Sequence, residues 1–144
     1  MSTPEALDLT VARGTRVEVF TSQDRVGLDL TNSRSVATID LCPQSAHDVA
    51  VGMLRCAIWL NDPASQHPTP DGAIYVSPSG RIVSVMLSDR VPRRAFYLSV
   101  SSAGLWAPGV RTQLNAQEAL QIALALLAHS ADARFELEAG AVVA

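Results

Sequence analysis

Two stretches decide the fold: Leu41-Cys42-Pro43-Gln44-Ser45-Ala46-His47-Asp48-Val49-Ala50 and Leu114-Asn115-Ala116-Gln117-Glu118-Ala119-Leu120-Gln121-Ile122-Ala123. At a constant offset of 73, Leu41 meets Leu114, Gln44 meets Gln117 and Ala46 meets Ala119. Val49 then meets Ile122, Ala50 meets Ala123 and Leu54 meets Leu127. Each stretch reads as a helix start. In the second, Asn115 caps the first turn and Glu118, three residues on, reaches back to it as a capping box. In the first, Pro43 takes the first helical position, where its missing N–H does no harm. Leu41 and Leu114 precede the caps and face Ala46 and Ala119 as weak hydrophobic staples.

Both helices carry the three-and-four spacing of one buried face. In the first the stripe is Ala46, Val49, Ala50, Met53, Leu54, Ala57 and Ile58; in the second it is Ala119, Ile122, Ala123, Leu126, Leu127 and Ala131. The alanines let each helix lie close to a sheet. Upstream of the first helix, short strands are expected over 7–11, 16–20, 26–30 and 36–41, broken by turns at Arg13-Gly14, Gln23-Asp24 and Asn32-Ser33. Upstream of the second they are expected over 73–77, 81–87, 95–101 and 110–113, with Ser77-Pro78-Ser79-Gly80 the clearest turn. Alternation in Val26-Gly27-Leu28-Asp29-Leu30 suits an antiparallel sheet with one solvated face. The tail over 135–143 leans toward an edge strand.

The expected fold class is therefore α+β: antiparallel sheet or sheets with two helices, an internally duplicated strands-then-helix unit with pseudo-twofold symmetry. A single domain over 1–144 would consist of repeats at about 6–60 and 73–133, joined by a Pro-rich linker at 61–72. The 144 residues match one domain, and 48% hydrophobic against 17% charged residues exclude disorder. A net charge of −3 argues against a nucleic-acid coat or a polybasic membrane anchor. No secretory leader is read at the N-terminus, and the greasy segments at 49–60 and 120–128 are too short to span a bilayer. A cytoplasmic protein is expected. All eleven basic residues are arginines, a bias that fits a GC-rich genome of actinobacterial or actinophage type. Cys42 and Cys56 fall fourteen residues apart along one helix, about 20 Å, too far for a disulfide.

The second helix carries more apolar surface than one buried face needs. Leu120 and Leu124 form a second stripe, extended by Ala116 and Ala128, where the first helix places His47, Val51 and Arg55. This stripe is the candidate homodimer interface, and another protein is the second partner considered for the chain. Packing of the second helix on the first repeat is the structural alternative. Arg90, Arg93 and Arg94 form a basic cluster around Val91-Pro92, suited to phosphate, although an acidic chain with few aromatics argues against nucleic acid. Trp106, between glycines and prolines, is a candidate partner anchor, while Trp59 reads as core.

Catalytic chemistry finds no foothold in the sequence. His47, His67 and His129 have no metal-ligand spacing with each other or with the cysteines, so no metal is expected. His129 is expected in a last helical turn, complementing the helix dipole. Cys42 with His47 is a conceivable nucleophile pair, set against a small residue that simply caps a helix. No phosphate loop or hydrolase motif occurs, and no cofactor is expected. The reading is a non-catalytic binding or assembly module that pairs with itself. Its alternatives are a ligand pocket or enzyme site between the repeats and a weak nucleic-acid contact through the arginines.

Overall fold

The computed structural model describes residues 4–61, 73–76, 82–88, 95–101 and 109–143. Strands β1 (Leu7–Thr10), β2 (Arg16–Ser22), β3 (Arg25–Thr31) and β4 (Val36–Leu41) precede helix α1 (Pro43–Asn61). Strands β5 (Ala73–Val76), β6 (Ile82–Ser88), β7 (Ala95–Ser101) and β8 (Gly109–Leu114) precede helix α2 (Ala116–Val143). Each set of strands forms its own four-stranded antiparallel sheet in chain order. The protein is α+β, with two separate sheets rather than one continuous one.

The sheets match strand by strand. Strand lengths run four, seven, seven and six residues in both. Pairing matches as well: Leu7 opposes Val19 as Ala73 opposes Val85, Ser22 opposes Arg25 as Ser88 opposes Ala95, and Thr31 opposes Val36 as Ser101 opposes Gly109. The connections differ. Residues 23–24 and 32–35 link strands in the first sheet, and the longer 89–94 and 102–108 link their counterparts in the second.

Alternation turns one face of each sheet inward. Val17, Val19, Val26, Leu28, Leu30, Ala37, Ile39 and Leu41 are buried from the first sheet, and Phe96, Leu98, Val100, Val110 and Leu114 from the second. On the outer face Gly27 is buried beneath the ring of Phe20, its cross-strand neighbour, and a Cβ at 27 would collide with that ring. In the second sheet the residue paired with Gln113 is Tyr97, whose ring carries the Arg111 guanidinium 4.1 Å from its centroid.

Helices and sheets are exchanged across the molecule. Helix α2 packs on β2 and β3, in the half that precedes it, while α1 reaches β5, β6 and β7 in the half that follows. The sheets meet along their last strands, with β4 against β7 and β8, and β3 against β8. The helices also pack on one another in opposite directions: at the start of α1 Ser130 Oγ donates to the Pro43 carbonyl at 2.6 Å and Arg134 Nη2 to Gln44 Oε1 at 3.0 Å, while at its end Leu60 and Asn61 share a cavity wall with Asn115 and Ala116.

Four expectations are corrected. The tail is not a strand, since α2 runs on to Val143. Phe135-Glu136-Leu137-Glu138 alternates with a strand's period, but alanine, glutamate and leucine favour helix, and extending a formed helix avoids the cost of nucleation. His129 consequently sits mid-helix, well before the last turn, and is buried. Ile58 is exposed and so is Ala131, the residue 73 positions on. Twelve residues past Ala46 or Ala119, a 3.6-residue helix has turned about 120° away from the starting face. Ala116 is half-buried and packs against the core, so it leaves the outer stripe where it was expected.

Candidate functional site

The outer face of α2 is the most unusual surface among the described residues. With Ile122, Ala123 and Leu126 fully buried on its inner face, α2 leaves Leu120 and Leu124 on the opposite side, 37% and 54% exposed. Ala128 and Ala131 continue that exposed line, and Phe135 follows at 53%. Intervals of four, four, three and four residues keep these five side chains on one helical stripe. From Arg134 to Gly140 every residue is exposed, Leu137 included. The structure therefore brings Leu120, Leu124 and Ala128 together and removes Ala116. It adds Ala131, expected on the inner stripe, and Phe135, whose signal was the same spacing carried past Ala128 and was masked by the strand-like alternation of the tail.

At its N-terminus α2 is tied to the first sheet. Asn115 Oδ1 accepts from Glu118 N at 2.7 Å, and Glu118 Oε1 accepts from Asn115 N at 3.0 Å, which is the expected capping box. The other carboxylate oxygen accepts from the Ala12 N–H at 2.8 Å, in the turn between β1 and β2. Gly14 closes that turn with φ 89°, a left-handed conformation in which a side chain would be strained. A cavity of about 320 Å³ lies here, lined by Arg13, Leu60, Asn61, Gln113 and Asn115 among others. Its open side and small volume suit no more than a small polar ligand. The Asn115 and Glu118 side chains on its wall are already spent on the cap.

Cys42 caps α1 at the position that Asn115 holds on α2. Its sulfur lies 3.4 Å from the Ser45 N–H, which donates to it, and 3.2 Å from Ser45 Oγ. The Ser45 side-chain hydrogen bond leads the causes that hold the Cys42 thiol below its ordinary range. Cys56 is buried on α1 and desolvation pushes its thiol up to about 11. Both cysteines are free. His47 is exposed, with Nδ1 3.7 Å from Asp48 Oδ1, the carboxylate next to it in sequence and one also bonded by Gln44 Nε2. Nothing in this arrangement links Cys42 to His47.

His129 is a structural residue. A carbonyl oxygen only accepts, so Nε2 carries the proton and donates to the Glu5 carbonyl at 3.0 Å. In the neutral ring Nδ1 then accepts from the Thr21 hydroxyl at 2.6 Å. One imidazole thereby ties the N-terminal segment, β2 and α2 together. Among the described residues two buried side-chain polar atoms have no partner: Thr112 Oγ1, in the inward set of β8, and Asp29 Oδ1, in the outward set of β3. Among the described residues no group of three His, Cys, Asp or Glu side chains could hold a metal ion. No helix among them is long and apolar enough to cross a membrane.

Arg90, Arg93, Arg94, Trp106 and His67 lie outside the described residues, as do the turn at 77–80 and most of the linker. The three arginines fall in the 89–94 connection and Trp106 in 102–108, the two that are longer in the second half. No protein-family model and no curated protein matches this chain.

Proposed function

We propose that this chain is a non-catalytic assembly module that pairs with a second copy of itself through the outer face of α2. The uncovered line of Leu120, Leu124 and Ala128, left bare while the same helix seals the first sheet, carries the reading. Two leucines at those exposures leave apolar area that a covering surface would turn into stabilisation, roughly 0.5–1.5 kcal/mol each, since only a third to a half of each residue is still open to water. A twofold homodimer is the commonest way to supply such a cover. The cavity beside Asn115 favours the rival reading of a small-ligand binder, and the engagement of Asn115 and Glu118 on its wall in helix capping weighs against it. A cytoplasmic location goes with this proposal, supported by two unpaired cysteines.

The same proposal holds that the module arose by internal duplication and has pseudo-twofold symmetry. Equal strand lengths, equal pairing and helices exchanged in both directions support it. So do the equivalent caps, Cys42 and Asn115, whose carbonyls accept the first helical bonds from Ala46 and Ala119.

Light scattering tests the assembly. The native chain should give twice its 15.3 kDa mass, and the Leu120→Glu/Leu124→Glu variant should give the single-chain mass with an unchanged circular dichroism spectrum. An identical mass for both proteins sinks the interface.

A further inference from the structure

We draw no further inference here: the strongest candidate, the open cavity between the β1–β2 turn, the end of α1 and the start of α2, has Asn115 and Glu118 on its wall already spent on the helix cap and the exposed Arg13 and Asn61 left beside them, and nothing in the structure selects the charge or chemistry of a ligand for it.

Discussion

Cys42 and Cys56 are the same side chain in opposite surroundings, and their chemistry should separate accordingly. Cys42, at a helix start with Ser45 bonded to its sulfur, is the more acidic thiol; Cys56, buried on the inner side of α1, is pushed up to about 11. Iodoacetamide at pH 7.5 should therefore label Cys42 first and leave Cys56 unmodified until the protein unfolds, as read by peptide mass. Cys56 also has a consequence for stability. In the unfolded chain its thiol ionises near 9.0, and in the native state near 11, so between these values the unfolded state binds fewer protons. Stability should be unaffected by Cys56 below pH 9 and should fall as pH rises from 9 to 11. Urea midpoints across that range should show a shallower fall for Cys56→Ala, and an equal fall would refute the assignment. Neither contrast is visible in the residues as such. The cap position of Cys42 was legible from Pro43 beside it, whereas the burial of Cys56 depended on which face α1 turned inward.

At the scale of elements, the tie between the first hairpin and α2 is the contact most open to test. Glu118 uses both carboxylate oxygens, one on the α2 cap and one on Ala12. Glu118→Ala should lower unfolding stability by about 1–2 kcal/mol, a helix cap plus one long-range hydrogen bond. Glu118→Gln, which keeps one carbonyl oxygen of the two acceptors, should fall between it and the native chain in urea titration. A cost equal to that of an ordinary surface substitution would mean that the Ala12 contact contributes nothing. The capping box itself was readable, because its two residues stand three apart. Its third partner, 106 residues away, was not, since no local pattern records which turn will arrive at a helix end. Strand positions were readable from alternation and turns, and the tail was misread because a four-residue alternation fits both a strand and the end of a helix.

For the whole molecule the exchange of helices sets the folding unit. Helix α2 covers β2 and β3, so the first half alone would leave the inner face of its sheet open to water. Fragments 1–66 and 67–144 should each lack cooperative unfolding when isolated and should regain the native spectrum when mixed. A first fragment that folds alone as a monomer would show that the exchange is not needed for stability.

By itself the sequence determined the α+β class, the place of both helices, most strand limits and the outer stripe on α2, because these are set by periodicity and by caps within a few residues. Only the tertiary structure decided that there are two sheets, that the first is covered by the other half's helix, and that Leu120 and Leu124 stay uncovered while Ala116 does not. Those outcomes depend on which surfaces meet between segments far apart in the chain. Burial is a property of that meeting, and no side chain carries it alone.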